Sequence, residues 1–307
     1  MGDADDEDAD DDEDPFAPPP GLEGDDQYVF MFMQAQVAAM RTEIDEDEAG
    51  KSIKTIKKDV PRTDRKGGYF IDEFPHRMKW LHDILVTYAV FHPSVGYAQG
   101  MNDVLSMILA VTDHEADAYW CLTNYLDKIQ ADFMAVGMMA KLEQLKDLLT
   151  VMDTEVVAHL ESIDAGDMVW CHRWLLLSFK REFEFDDAVR LFEILCSHHL
   201  ELNSIEAEKA RDSAARDEQE REGGQAEAKD KTNQDFTFEL FVCVAILRIN
   251  RDEIMKARDV ADVFTFINGL VGKMNLNTVL SMAERVFFDY CAVSVTDADS
   301  AAFLMND

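Results

Sequence analysis

The 307-residue chain is 47% apolar and 10% aromatic, enough to build a core and too much for a disordered chain. Its formal net charge of −33 repels phosphate backbones and anionic lipid, which argues against nucleic-acid binding and direct membrane docking and favours a basic face on a protein partner. No apolar run approaches the ~18 residues that span a bilayer, the acidic start is no signal peptide, and Asp6 stands where a myristoylation signal wants Ser or Thr; the expectation is a soluble, cytoplasmic chain.

Residues 1–14 hold ten acidic side chains and no basic one, and Pro15, Pro18, Pro19 and Pro20 follow, so residues 1–26 are expected to be a disordered leader. From Tyr28 onward apolar residues recur at helical spacing. Pro61 ends the stretch containing Ile53 and Ile56 and biases Val60 away from helical angles, which predicts that Asp59-Val60-Pro61-Arg62-Thr63 leaves the helix as a loop. The stripe Met78, Leu81, Leu85, Tyr88 predicts a helix, which Pro93 breaks. Gly96 and Gly100 then bracket a second loop around Tyr97-Ala98-Gln99, with Asn102 or Asp103 expected to cap the helix carrying Leu105, Ile108 and Leu109.

Further helices are predicted from Leu142, Leu145, Leu149 and Met152, from Val260, Val263, Phe264, Ile267 and Leu270, and from Leu276, Val279, Leu280, Ala283, Val286 and Phe287. Arg173, Trp174, Arg181 and Glu182 interrupt a very apolar stretch, where a buried ion pair is expected. Residues 204–234, with nine acidic and six basic side chains around Gly223-Gly224, read as a charged insertion, either flexible or a solvated helix, and residues 294–307 as a tail. No sustained alternation and no hairpin dipeptide suggests a strand, so the fold expected is all-α; no fixed-period repeat points to a solenoid.

Five scattered cysteines, Cys121, Cys171, Cys196, Cys243 and Cys291, read as reduced core thiols. Cys171-His172 and Cys196 with His198-His199 invite a zinc site, but apolar helices account for them better, and no metal or cofactor of the chain's own is expected. Without a Gly-rich phosphate loop ending in Lys-Ser or Lys-Thr, the chain is not itself a nucleotide-binding GTPase.

The two loops carry a more specific signal. Ile56-Lys57-Lys58-Asp59-Val60-Pro61-Arg62-Thr63 resembles the I-x-x-D-x-x-R-T signature of TBC-domain Rab GTPase-activating proteins, and Gly96-Tyr97-Ala98-Gln99-Gly100-Met101-Asn102-Asp103 resembles that family's Y-x-Q signature. Asp64-Arg65, Leu81-His82-Asp83-Ile84-Leu85, Arg173-Trp174-Leu175, Phe179-Lys180-Arg181-Glu182-Phe183 and Cys243-Val244-Ala245-Ile246-Leu247 extend the likeness over roughly residues 28–290. A third signature departs: where the family has Ser-Gly before aromatics, this chain reads Asp164-Ala165-Gly166-Asp167-Met168-Val169-Trp170.

The resemblance implies two helical lobes, about residues 27–150 and 151–293, acting on a GTP-bound Rab-type GTPase that itself holds GTP and Mg²⁺. A small GTPase hydrolyses slowly because charge developing on the phosphates is poorly stabilised and the attacking water poorly held. By the resemblance, Arg62 supplies the missing positive charge in trans and Gln99 orients the water. Asp59 is expected to hold Arg62, Thr63 to fix its loop, Tyr97 to orient Gln99, and Gly100 to let another backbone approach, with Asn102 and Asp103 beside them. The alternatives are a Rab-binding effector without activity and a helical adaptor with an acidic docking surface. A monomer, recruited to membranes by its GTPase, is expected.

Overall fold

The computed structural model describes residue 21, residues 24–41, 46–64, 69–70, 74–197, 199–204, 207, 209–211, 213 and 236–303. Among these residues every regular element is helical, as expected. The helices are α1 (Asp25–Arg41), α2 (Glu46–Asp59), α3 (Pro75–Phe91), α4 (Met101–Thr112), α5 (Glu115–Ile129), α6 (Ala135–Met152), α7 (Thr154–Ser162), α8 (His172–Leu176), α9 (Phe185–Cys196), α10 (Phe238–Ile249), α11 (Arg251–Ile254), α12 (Val260–Gly269) and α13 (Leu276–Phe303). Most of the expected leader and of the charged insertion lies outside the described residues, while α13 continues to Phe303, into the stretch set apart as a tail.

Local chemistry sets the boundaries. Pro75 opens α3, where a missing N–H costs nothing, and the chain leaves that helix at His92, just before Pro93. Asp153 caps α7 by accepting from Val156 N at 3.1 Å, and Asp259 caps α12 by accepting from Asp262 N at 2.8 Å. Arg77, on α3, lies over the rings of Tyr69 and Phe74 at 4.0 and 4.2 Å and reaches Asp113 beyond α4 at 3.1 Å, which ties the connection before α3 to the end of α4.

Two helices are apolar almost all round and are buried accordingly. All positions of α4 from Met101 to Leu109 are buried, and α10 is buried at Phe238 and from Leu240 to Leu247. Phe241 of α10 meets Phe287 and Tyr290 of α13 edge-on, with ring centroids 5.1 and 5.8 Å apart. A single cluster of buried side chains runs from Ile56 to Cys291 and includes both helices. At the other extreme, α1 leaves Tyr28, Val29, Met31 and Phe32 exposed.

Some side chains fall elsewhere than expected. Cys171, Cys243 and Cys291 are buried, but Cys121 and Cys196 are exposed because α5 and α9 turn those positions outward. Phe264, placed in the stripe of α12, is 40% exposed, and only Val263 and Ile267 of that helix are fully covered. His199 pairs with Glu284 at 3.2 Å, His198 lies outside the described residues, and no cluster of three metal-ligating side chains occurs among the described ones. No helix among them is long and apolar enough to cross a membrane.

Candidate functional site

The α2 helix ends at Asp59, but Val60 does not leave helical angles as expected: the chain tightens into a 3₁₀ turn over Val60–Arg62, with Pro61 at its start, and becomes extended only at Thr63. That turn leaves Asp59 facing inward, its side chain only 3% exposed, while Arg62 stands half-exposed at 53%. The Arg62 guanidinium donates from Nη2 to Asp59 Oδ1 at 2.5 Å. Thr63, buried, donates from its hydroxyl to the Asp59 carbonyl at 3.1 Å and so closes the turn on its own backbone.

The second loop is built on two glycines. Gly96 has φ +62°, and beside it Tyr97 N donates to Ser52 Oγ of α2 at 3.2 Å. Gly100 has φ +113°, and a Cβ there would stand 2.5 Å from Leu177 Cδ2. Between them the Tyr97 hydroxyl lies 2.9 Å from both Asp59 Oδ2 and Asn102 Oδ1 and shares its proton between them. Burial, reinforced by the Asp59 carboxylate, pushes that phenol far above its ordinary pKa, so Tyr97 remains a donor. Asn102 Nδ2 in turn donates to Thr63 Oγ1 at 2.9 Å. One buried carboxylate therefore holds an arginine of the first loop and a tyrosine of the second.

Asn102 and Asp103 do not cap α4, as was expected of one of them. The left-handed Gly100 starts the helix, and both residues lie inside its first turn, buried, with the Asn102 side chain committed to the loops and that of Asp103 to Arg181. Gln99 is exposed and makes no side-chain hydrogen bond to another described residue. Arg62 and Gln99 are thus presented outward from loops whose supporting residues Asp59, Thr63, Tyr97 and Asn102 are joined beneath them.

A further group of residues, in the stretch Phe179-Lys180-Arg181-Glu182-Phe183, was not among the expected site residues. After α8 the chain passes through Ser178 and Phe179 with φ of +46° and +61°, an uncommon conformation for such side chains, fixed by Phe179 N donating to Trp174 O at 2.8 Å. The next two residues then reach the end of the first loop and the first turn of α4. Lys180, 5% exposed, pairs with Asp64 immediately after Thr63, and Arg181 donates to Asp103 Oδ2 at 2.7 Å. Burial raises the Asp103 carboxyl above its ordinary pKa, and the Arg181 guanidinium pulls it back in part. The expected ion pair of this region forms between Arg173 and the fully buried Glu182, bidentate at 2.7 and 3.1 Å, and Arg181 does not join it. Sequence reading supplied the basic residues but not their partners, which lie 116 and 78 positions away.

The departing third signature is half-buried, with Ala165, Met168 and Trp170 inside and Asp164, Asp167 and Val169 exposed. Met168 and Trp170 belong to the core, Trp170 Nε1 donates to Ala165 O at 2.9 Å, and a Cβ on Gly166 would stand 2.8 Å from Glu161 Cγ.

The Rab-GTPase-TBC domain family matches residues 21–206. The chain is 46% identical over 147 residues to TBC1 domain family member 25 of Homo sapiens, which takes in 47% of this chain and 21% of that protein. It is 33% identical over 235 residues to TBC1 domain family member 17 of Mus musculus, covering 76% of this chain and 31% of the relative. The chain thus spans about a third or less of the length of these curated relatives. The crystal structure of the Ypt/Rab-GAP domain of Gyp1p has the same fold, with a TM-score of 0.58 over 85% of this chain and 81% of that one at 19% identity.

Proposed function

The chain belongs to the Rab-GTPase-TBC domain family, and we propose that it accelerates GTP hydrolysis by a Rab-type small GTPase, with Arg62 and Gln99 entering the partner's site in trans. The observation that carries this reading is the Asp59 carboxylate, which holds Arg62 at 2.5 Å and Tyr97, two residues from Gln99, at 2.9 Å. Both loops are thereby positioned before a partner arrives, so little ordering remains to oppose binding. A permanently charged, planar guanidinium suits the charge that builds on the transferring phosphoryl group, and an exposed amide suits an attacking water.

In the Michaelis complex the GTPase supplies GTP and Mg²⁺. Arg62 rotates from Asp59 onto the phosphate oxygens, or bridges the two, while Tyr97 keeps its bond to Asp59 and so keeps the second loop in place. Gln99 accepts from or donates to the water opposite the leaving group. An arginine finger contributes about 10³–10⁵-fold in rate, or about 4–7 kcal/mol of barrier. The partner is expected in its GTP-bound state, and membrane recruitment is expected to come through that partner.

Single-turnover GTP hydrolysis by a panel of GTP-loaded Rab proteins, with wild type, Arg62→Ala and Gln99→Ala, tests the reading. At least one GTPase should be accelerated by orders of magnitude, and each variant, folded by circular dichroism, should lose most of that acceleration. If no panel member responds, binding without acceleration would mark a silent effector, and no binding at all would leave the adaptor.

A further inference from the structure

The α2 helix turns Ser52, Ile56 and Asp59 into the protein and sets a row of lysines on its opposite side. Lys54, Lys57 and Lys58 are exposed and share one face, being three and four residues apart. None of the three has an ion-pair partner among the described residues, although the chain as a whole carries a charge of −33. The helix dipole favours Lys57 and Lys58 in the last turn. It gives no account of Lys54, and like charges at this spacing weaken a helix rather than support it.

This row runs into the turn that carries Arg62. At about 1.5 Å of rise per residue, Lys57 and Lys58 lie roughly 6–8 Å from Arg62 along the axis and Lys54 about 12 Å. A protein engaging Arg62 therefore comes within about one Debye length of the row at physiological salt. An acidic partner is repelled by most of this molecule and attracted here.

Resting on the activator reading above, we propose that Lys54, Lys57 and Lys58 form a steering surface for the GTPase, engaging a rim of Asp and Glu side chains beside its nucleotide pocket. Charges at the rim of an interface act mainly on encounter and choice of partner, and their effect falls with salt. The row would select GTPases with an acidic rim over those with a neutral or basic one, and it would orient their approach so that the pocket meets Arg62.

The test compares wild type with the Lys54→Glu/Lys57→Glu/Lys58→Glu and the milder Lys54→Gln/Lys57→Gln/Lys58→Gln variants on one responsive GTPase, at about 0.05 M and about 0.5 M salt. The expected result is a half-saturating concentration raised about tenfold or more in the Glu variant at low salt, less in the Gln variant, with the difference collapsing at high salt and the maximal rate unchanged. The wild-type rate alone scores the activator reading. Should it show no acceleration, the same comparison is made by titrating the GTPase loaded with a non-hydrolysable GTP analogue, so the row is scored either way. Unchanged half-saturation, or an equal loss at both salts, would overturn the proposal. So would unchanged kinetics together with wild-type binding to phosphatidylserine vesicles that the Glu variant lacks, since the row would then read a lipid surface.

Discussion

Gly100 illustrates how much of this site rests on single residues. Its φ of +113° is strained for any side chain, and the tip of Leu177, which an added methyl would meet at 2.5 Å, is itself buried and can retreat only by disturbing the core. Gly100→Ala should therefore destabilise the protein by about 1–3 kcal/mol, whereas Gly50→Ala, in α2 with open space around it, should stabilise slightly by about 0.5–1 kcal/mol. Urea midpoints of the two variants, read at equal m-value, give both signs in one experiment. Asp59 and Tyr97 are the other residues of this kind: each serves both loops, and a phenol held protonated by burial is a fixed donor at any working pH.

Among the elements, the turn leaving α8 does the most to join the loops, through Leu177 against Gly100, Lys180 on Asp64 and Arg181 on Asp103. Because burial raises the Asp103 carboxyl, the folded chain keeps a proton that the unfolded chain has released. The stability from that proton is complete below the ordinary carboxylate range and is lost as pH rises through the raised value. Removing Arg181 removes the influence that lowers this pKa and widens the window, so Arg181→Met should cost about 1–3 kcal/mol at pH ~7, allowing for a half-exposed guanidinium, and clearly less at pH ~4. Chemical denaturation at the two pH values checks this, and adding Asp103→Asn should erase the difference. The same contacts explain what a reader of the sequence can and cannot see. Pro61, Pro93, Gly96 and Gly100 act on their immediate neighbours, so the two breaks between helices were legible from local rules, although the first is a 3₁₀ turn rather than an open loop. Asn102 and Asp103 look like helix caps by local rules, but their side chains are claimed by other partners, Asn102 by nearby Tyr97 and distant Thr63, and Asp103 by distant Arg181.

At the scale of the whole molecule, one continuous core lies beneath the loops, and α10 shares with α4 the place of its most enclosed helix. Phe241→Ala there should cost about 3–5 kcal/mol. Far-ultraviolet circular dichroism and tryptophan fluorescence should report it as one coincident transition at a lower denaturant midpoint; two separated transitions would show that the core divides. A different consequence follows from Lys180 and Arg181 being adjacent in the chain while their partners belong to separate elements, Asp64 following the first loop and Asp103 opening the helix after the second. The correspondence between residue and partner is kept by counting along the backbone from Phe179. A one-residue insertion or deletion between Phe179 and Glu182 would leave every type of charge present and yet cross the wiring, offering each carboxylate the wrong neighbour. The length of this four-residue word is therefore as much a part of its meaning as its letters.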